Sequence, residues 1–509
     1  VAATFSVGDP LTLKWTMARN ITNVNLYYST DNGSNYTTLI NTGGPVPADQ
    51  GATGYAWTIA NAIVGPKIRF RVIDAGNATV FHDSTVSSEI VGKVTLDNRN
   101  GSDDCTVQLA CAIKWTPTGT FLNTVTLEYS LDGGTTWTGI ATAAAGANGV
   151  QQTYSAFSPL TSDVTTKFKV RVYDTGHLNK NVVDVSAANN RIKGVLTVTE
   201  PNATGIVWKV GETTRQIKWN GSGQVNPVKL EYSTSSGSAP WTTIATLTAA
   251  QLTANGNGNQ TYTWTAGVAD QKTETARIRV VHDNPAFQAD VTDMSDNNFA
   301  IRPELTVTLP AAGADLTVGT SATVRIVRTT GTTKLSTAKL EYSSNAGSTY
   351  QLLQTGSDAV ALTGDITNYT WTSVPNAISQ TVLIRATDAS SPANPNVIGT
   401  SATFHIVGGI TLLEPLGGED WPMTPKTKLI RYTTAGTITN IDLKYSSNGG
   451  STYSLIASKT HAAPGTFSHT WATMPDATTL QARVKVEDQN NASVVFVQSG
   501  IFRVIPVFD

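Results

Sequence analysis

The sequence has little charge for its length and no long apolar run. Of its 509 residues, 14% are charged, the formal net charge is −2, and no block of Lys or Arg occurs, whereas soluble proteins average about 25% charged residues. Without a basic patch, neither nucleic acid nor an electrostatic membrane surface is an expected partner. No apolar run approaches the roughly 18 residues of a membrane helix, so no membrane span is predicted. The sequence does not begin with Met, and we expect a processed chain or a segment of a longer one.

Cysteine is scarce as well. Only Cys105 and Cys111 occur, and they are close enough in sequence to join the two strands of one hairpin. Such a disulfide is typical of extracellular proteins. Two unpaired buried thiols are the alternative, because pairing depends on the distance between the Cα atoms. A structural zinc needs four ligands, and these two thiols have no neighbouring His or Cys.

Motifs for catalysis are missing. The sequence contains no His-Glu-x-x-His, no phosphate-binding loop and no Gly-x-Ser-x-Gly. We therefore predict that the chain is not an enzyme and has no cofactor. Weak Ca²⁺ binding at the paired carboxylates Asp103-Asp104 and Glu419-Asp420 is kept as an alternative, although each pair supplies fewer than the roughly six to eight oxygen ligands that calcium takes.

What the sequence does contain is a Leu-x-Tyr-Ser motif that returns about every hundred residues. In four of the five copies a Gly-rich turn and an aromatic residue follow, as in Asp132-Gly133-Gly134 before Trp137. Asp, Asn and Gly tolerate the positive φ of tight β-turns, so each copy predicts a β-hairpin. The five tyrosines are Tyr28, Tyr129, Tyr232, Tyr342 and Tyr445.

A second landmark, about 45 residues after each Tyr-Ser pair, alternates basic and apolar residues. In the first copy Lys67, Arg69 and Arg71 alternate with Ile68, Phe70 and Val72. This alternation predicts a strand with one buried face and one solvated face. In an immunoglobulin-type sandwich this basic strand and the Tyr-Ser strand are neighbours, so acidic residues of one should face basic residues of the other. The expected pairs are Glu128 with Lys169 or Arg171, and Glu231 with Arg277 or Arg279.

The strand patterns predict the fold. About seven short strands per hundred residues, bounded by Gly, Pro, Asn and Asp, indicate an all-β chain of five tandem immunoglobulin-like antiparallel β-sandwich domains. The predicted domains are residues 1–92, 93–193, 194–303, 304–408 and 409–509. Linkers are almost absent, which restricts bending, and five sandwiches end to end would form an extended rod of about 150 to 200 Å.

Large residues are expected to fill the cores. The strand before each Tyr-Ser strand ends in one, and we call these the core-plug residues: Trp15, Trp115, Trp219, Val327 and Tyr432. A further strand between the two landmarks carries Trp57, Trp264, Trp371 or Trp471 in four of the copies. Packing explains these aromatic residues without a ligand.

The fifth copy opens with Pro415-Leu416-Gly417-Gly418-Glu419-Asp420-Trp421. This resembles the P-x-G-G-E-x-W opening of fibronectin-III/immunoglobulin-like repeats in bacterial secreted and surface proteins, which are related to Kre9/Knh1-type cell-wall domains of yeast. The third copy matches loosely, at Pro201, Gly205 and Trp208. The resemblance implies an extracellular, wall-associated or appendage role and transfers no catalytic residue.

The two ends of the sequence differ. The second to fifth copies begin with a short aliphatic strand, such as Val94–Leu96, whereas the first copy has only six residues before Val7-Gly8. We expect the first copy to lack this strand and to present an open sheet edge. At the other end, an apolar tail follows the last expected strand and comprises Ile505, Pro506, Val507 and Phe508.

We hypothesise that this tail adds to the open edge of the next chain and builds a head-to-tail polymer. Alternatively, the chain belongs to a longer array whose neighbouring repeats supply the strand. We favour a non-catalytic extracellular structural protein of a bacterial cell surface: a filament, sheath or surface-layer subunit, or an adhesin stalk. The alternative is a set of accessory modules of a secreted enzyme, either spacers or binders of a surface glycan. Trp208, Trp241 and Trp421 are the candidates for contact with such a glycan.

Overall fold

The computed structural model describes residues 3–17, 20–61, 63–119, 124–177 and 182–507. These residues are all-β, as predicted, and form immunoglobulin-like β-sandwiches. Short 3-10 helices lie at Ala48–Gly51, Thr161–Asp163, Ala249–Gln251 and Thr253–Gly256. Within the described ranges no helix is long and apolar enough to cross a membrane.

Contacts between Cα atoms divide the chain into two compact units. One comprises Val1–Ala203, Gln216–Tyr262 and Arg277–Asn297, and the other comprises Thr204–Arg215, Thr263–Ala276 and Asn298–Asp509. The division passes through the third sandwich, so the domain boundaries inferred from the repeats stay predictions.

The first sandwich contains β1 (Thr4–Ser6), β2 (Pro10–Leu13), β3 (Asn23–Ser29), β4 (Thr38–Leu39), β5 (Val46–Pro47), β6 (Tyr55–Thr58), β7 (Gly65–Asp74), β8 (Asn77–Asp83) and β9 (Ser88–Val91). Its larger sheet has the order β1-β9-β7-β3-β4, with β5 beside β3 and β8 beside β7. Its smaller sheet pairs β2 with β6.

The second sandwich contains β10 (Lys93–Leu96), β11 (Cys105–Thr106), β12 (Ile113–Thr118), β13 (Thr124–Ser130), β14 (Thr138–Ala144), β15 (Gln152–Tyr154), β16 (Thr165–Asp174), β17 (Val183–Val185) and β18 (Asn190–Lys193). The sheets have the orders β10-β12-β15 and β11-β18-β16-β13-β14, with β17 beside β16.

The third sandwich contains β19 (Val195–Glu200), β20 (Val207–Lys209), β21 (Gln216–Ser222), β22 (Val228–Ser233), β23 (Thr242–Leu247), β24 (Gly258–Thr263), β25 (Thr273–His282), β26 (Thr292–Met294) and β27 (Phe299–Arg302). The sheets have the orders β19-β21-β24 and β20-β27-β25-β22-β23, with β26 beside β25.

The fourth sandwich contains β28 (Leu305–Leu309), β29 (Asp315–Thr317), β30 (Ala322–Arg328), β31 (Thr337–Ser343), β32 (Gln351–Leu352), β33 (Val360–Ala361), β34 (Ile366–Trp371), β35 (Ser379–Asp388), β36 (Ile398–Thr400) and β37 (Phe404–Val407). The sheets have the orders β28-β30-β34 and β29-β37-β35-β31-β32, with β33 beside β31 and β36 beside β35.

The fifth sandwich contains β38 (Gly409–Glu414), β39 (Asp420–Pro422), β40 (Lys428–Ala435), β41 (Asn440–Ser446), β42 (Ser454–Thr460), β43 (Gly465–Trp471), β44 (Thr479–Asp488), β45 (Phe496–Gln498) and β46 (Phe502–Ile505). The sheets have the orders β38-β40-β43 and β39-β46-β44-β41-β42, with β45 beside β44.

The Tyr-Ser strands and the basic strands are neighbours in every sandwich, as predicted. They pair antiparallel in one common register, in which the serine that ends the Tyr-Ser strand lies opposite the same position of the basic strand. Glu128 lies opposite Arg171 and Glu231 lies opposite Arg279, so both expected ion pairs are confirmed.

The core-plug prediction is right for Trp115, Trp219 and Tyr432, which are buried. It is wrong by one residue in the fourth sandwich, where Ile326 is buried and Val327 is partly exposed. The segment Val324-Arg325-Ile326-Val327 contains two adjacent aliphatic residues, Ile326 and Val327, and either could fill the core. Pairing with the first strand shows which one does: Val307 lies opposite Ile326, just as Leu96 lies opposite Trp115.

Candidate functional site

Within the described residues, one sheet edge of the first sandwich lacks the strand that covers the equivalent edge in the other four sandwiches. In each of the other sandwiches the smaller sheet has three strands, because the first strand of the sandwich pairs with the strand that carries the core-plug residue. In the part of the chain that the structure describes, β2 pairs with β6 alone. Its other side, which we call the β2 edge, presents backbone N–H and C=O groups without strand partners.

A cavity of about 670 Å³ lies beside the β2 edge. Its apolar wall is formed by Leu13, Trp15, Leu26, Phe70 and Val72. In the second sandwich, Val94 and Leu96 of the first strand are buried against the equivalent core. A strand added at the β2 edge would therefore extend the sheet and place apolar side chains in the cavity.

Trp15 shows that the first core is incomplete. Its Nε1 donates to the carbonyl of Ala48 at 2.9 Å, and Trp115 makes the equivalent bond to Ala145 at 3.1 Å. Trp115 is fully buried, whereas Trp15 is only partly buried. The buried residues of the first sandwich also form two small clusters, while those of the second form one continuous cluster.

His82 is a polar group at this site that the sequence patterns did not single out. It lies in β8 opposite Val72, and Asp184 and Asp293 occupy the equivalent positions in the second and third sandwiches. There the carboxylates accept the backbone N–H of Leu96 and Val198, each at 2.7 Å. Since His82 is exposed and lines the cavity, its imidazole in the neutral form could accept the same bond from an added strand.

The apolar tail begins later than the sequence suggested. Ile505 belongs to β46, where it pairs with Pro422 and its carbonyl accepts the N–H of Met423 at 3.0 Å. Pro506 and Val507 follow β46 and are exposed. Phe508 lies outside the described residues. Of the described residues of the predicted tail, only Pro506 and Val507 therefore lie outside the strands of the fifth sandwich.

Two of the three tryptophans considered for glycan binding are buried, which corrects that prediction. Trp208 is 2% exposed and packs on Phe299 with ring centroids 4.6 Å apart. Trp421 is 8% exposed and packs on Phe502 at 4.5 Å. Both lie in short strands that pair in parallel with the last strand of their sandwich. Trp241 is partly exposed, with the guanidinium of Arg279 4.3 Å from its ring centroid.

This contact belongs to a pattern on the outer face of each larger sheet. A basic residue of the basic strand lies over the aromatic residue that follows the Tyr-Ser turn, and a carboxylate pairs with the same cation. The cation and ring pairs are Arg71 and Tyr36, Arg171 and Trp137, Arg279 and Trp241, Arg385 and Tyr350, and Lys485 and Tyr453. Such pairs stabilise the sheet surface and account for the basic residues.

The cysteines form a disulfide, with the Cα atoms of Cys105 and Cys111 5.6 Å apart. Both carboxylate pairs considered for calcium are held by the chain itself. Asp104 pairs with Arg191 and Lys193, and Asp420 pairs with Arg503, while Asp103 and Glu419 accept backbone N–H groups at 2.7 Å. Among the described residues, no three His, Cys, Asp or Glu side chains are grouped to hold a metal ion.

No protein-family model and no curated protein matches this sequence. The solved structures to which this chain is similar include an ectodomain fragment, a fragment of four Ig domains and a receptor ectodomain. The ICAM-5 D1–D4 ectodomain fragment is 14% identical with a TM-score of 0.27, and the match covers 82% of this chain and 100% of that one. The N-terminal four Ig domains of Dscam1 isoform 8.4 are 9% identical with a TM-score of 0.20, covering 80% and 97%. The ectodomain of the teleost fish polymeric Ig receptor is 10% identical with a TM-score of 0.18, covering 40% and 100%.

Proposed function

We propose that this chain is a non-catalytic extracellular structural protein of a bacterial surface, a subunit of a filament, sheath or surface layer or the stalk of an adhesin. We further propose that its copies associate head to tail by strand addition at the β2 edge. The observation that carries the proposal is that, among the residues that the structure describes, β2 pairs with β6 alone, beside a cavity of about 670 Å³ with one apolar wall.

Strand addition suits this edge for two reasons. The unpaired main-chain groups of β2 can give an incoming strand its hydrogen bonds, and the cavity can receive its inward-facing side chains. In the four other sandwiches a strand of the chain itself supplies both. Covering Trp15 and its neighbours would stabilise the association through the hydrophobic effect. The free energy is about 25 cal/mol for each Å² of apolar surface removed from water.

A single substitution at the edge tests the proposal. Met17 is 46% exposed and lies four residues after the end of β2, next to the cavity residues Trp15 and Thr16 in sequence. Met17→Asp would place a carboxylate beside the incoming strand, where it would lose water without gaining a partner, so polymers should disappear. The measurement is electron microscopy combined with sedimentation over a range of protein concentrations.

The matched control is Met294→Asp, because Met294 is a similarly exposed methionine at 40% and lies in β26 of the third sandwich. This variant should assemble as the parent chain does. Parent chains that stay monomeric at high concentration, or polymers that form equally well with Met17→Asp, would contradict strand addition at this edge.

A further inference from the structure

We infer that the third sandwich carries a binding site for an aromatic side chain of a partner protein, on the outer face of its larger sheet. The ring lies against the guanidinium of Arg279, at a position where the other four sandwiches have an apolar side chain of their own. The site is independent of strand addition at the β2 edge, because it belongs to another sandwich and another surface.

The first sandwich shows the complete arrangement around such a cation. The guanidinium carbon of Arg71 lies 3.9 Å from the ring centroid of Tyr36 and 3.9 Å from that of Phe81, so two rings contact one cation. The fifth sandwich repeats the second contact with a lysine, because the Lys485 ammonium lies 4.5 Å from the ring centroid of Phe496. The face of an aromatic ring attracts a cation through its quadrupole, which makes a ring well suited to this position.

The register of the strands identifies the equivalent residue in each sandwich. It lies in the strand that follows the basic strand, opposite the residue two positions after the cation. In four sandwiches it is apolar: Phe81, Val183, Ile398 and Phe496. In the third sandwich it is Thr292 of β26, which lies opposite Val281. The third sandwich therefore lacks the second ring that the first and fifth place on their cations.

A cavity occupies the place of the missing ring. It has a volume of about 360 Å³ and lies beside Arg279 and Thr292, with Val281, Pro285 and Ala289 forming its apolar wall. Val281 is buried and Thr292 is exposed, so the cavity reaches from the sheet to the protein surface. An apolar cavity of about 150 Å³ can bind benzene, and this one has room for the ring of a Phe or Tyr side chain.

The cation at this site is already oriented by the chain itself. The Nε of Arg279 donates to the buried Glu231 carboxylate at 2.6 Å, and the guanidinium carbon lies 4.3 Å from the ring centroid of Trp241. The Arg279 side chain is nevertheless 32% exposed, against 22% for Arg71 and 20% for Lys485. The site thus presents an oriented and partly exposed guanidinium beside an apolar wall.

The charges around the site favour a neutral ring over an ionic ligand. Glu231 is paired with Arg279 and lies 3.5 Å from the Lys229 ammonium, and the Asp293 carboxylate accepts the backbone N–H of Val198 at 2.7 Å. An ionic ligand would compete with these pairs, whereas the face of a neutral ring can add to the cation without replacing its carboxylate. Phenylalanine fills the equivalent position in two sandwiches, so the assigned ligand is a protein aromatic side chain.

Binding of a minimal probe to the full chain tests the inference. N-acetyl-phenylalaninamide carries one aromatic side chain between neutral ends, and N-acetyl-cyclohexylalaninamide has a similar size without a π face. In saturation-transfer NMR titrations the phenyl probe should bind with a dissociation constant of about 1 to 10 mM, since one ring contacts one cation and one wall. The cyclohexyl probe should bind about fivefold more weakly or less.

Substitution of Thr292 locates the bound ring. Thr292→Phe should abolish binding of the phenyl probe, because it places a ring of the chain on Arg279, as Phe81 lies on Arg71. The matched control is Thr292→Ser, which keeps the hydroxyl that donates to the Val280 carbonyl at 3.1 Å and leaves the cavity open. Its affinity should stay within about twofold of that of the parent chain.

Saturable binding of the phenyl probe that Thr292→Phe removes and Thr292→Ser retains supports the aromatic site. Absence of binding, equal binding of the two probes, or phenyl binding that persists in Thr292→Phe overturns it. Methyl β-glucoside is a third probe, because Trp241 is also a candidate for contact with a glycan, and a sugar that binds where the phenyl probe does not overturns the aromatic assignment. Should thermal unfolding show that Thr292→Phe is misfolded, the comparison of the phenyl and cyclohexyl probes on the parent chain decides.

Discussion

At the scale of single residues, the serine of the Tyr-Ser pair stabilises the hairpin turn that marks each sandwich. The buried Ser130 hydroxyl donates to Asp132 at 2.7 Å and accepts the N–H of Gly134 at 2.8 Å. Asp132 in turn accepts the N–H groups of Thr135 and Thr136, each at 2.9 Å. Asn345 and Asn448 take the place of the aspartate in the fourth and fifth sandwiches, so hydrogen-bond acceptance rather than charge is the shared requirement.

The first hairpin makes a prediction about pH. The hydrogen bond from Ser29, followed by those from Asn35, lowers the pKa of Asp31 from 3.8 to about 2. Because the folded-state pKa is lowered, the stabilisation by this carboxylate is complete above its ordinary pKa and is lost as the pH falls toward 2. A carboxyl carbon NMR titration should therefore show a midpoint near 2, and a midpoint at the ordinary value would contradict this account. Asp31→Asn is the control, since it should keep the turn and remove the titration.

At the scale of elements, the joint between the third and fourth sandwiches contains a buried ion pair. The Lys272 ammonium, just before β25, lies 2.6 Å from the Asp388 carboxylate at the end of β35, and the two side chains are 6% and 0% exposed. Backbone N–H groups of Ser390 and Asn394 also donate to Asp388. A buried cation that loses such a partner has no water to replace it.

Asp388→Ala should therefore lower the free energy of unfolding by about 3–5 kcal/mol. Thermal and denaturant unfolding measure the change. Asp420→Ala is the control, because Asp420 pairs with Arg503 at an exposed site and exposed pairs contribute about 0–1 kcal/mol. Equal losses from the two variants would show that burial does not set the strength of the Lys272 pair.

Much of the element structure could be predicted because it depends on local patterns. Alternating residues located the basic strands, and Asp-Gly and Asn-Gly turns located the hairpins. What could not be predicted depends on strands distant in sequence. Trp208 stood outside the repeat pattern and was expected at the surface, yet β20 pairs with β27, about ninety residues away, and is buried by it. His82 joins the candidate site only because β8 places it opposite Val72.

At the scale of the whole molecule, the proposed acceptor edge belongs to the first sandwich and the proposed donor residues follow the fifth, so each can be disabled separately. Chains lacking Pro506–Asp509 would still accept a tail, and Met17→Asp chains would still donate one. We expect each variant alone to remain monomeric and an equimolar mixture of the two to form heterodimers only, which mass photometry can count. Homodimers of either variant, or long polymers from the mixture, would contradict a single directional contact.

Only one or two residues separate the last strand of each of the first four sandwiches from the first strand of the next: Gly92, Gly194, Pro303-Glu304 and Gly408. These short connections affect which chains could enter one polymer. If the contact between molecules copies the contact between neighbouring sandwiches, the finished assembly has no seam, and a sandwich in the middle of a chain has the same surroundings as one at its end. A related chain with four or six sandwiches would then enter the same assembly without any change to its partners. Only the spacing of chain ends along such a polymer would reveal how many sandwiches each chain contains.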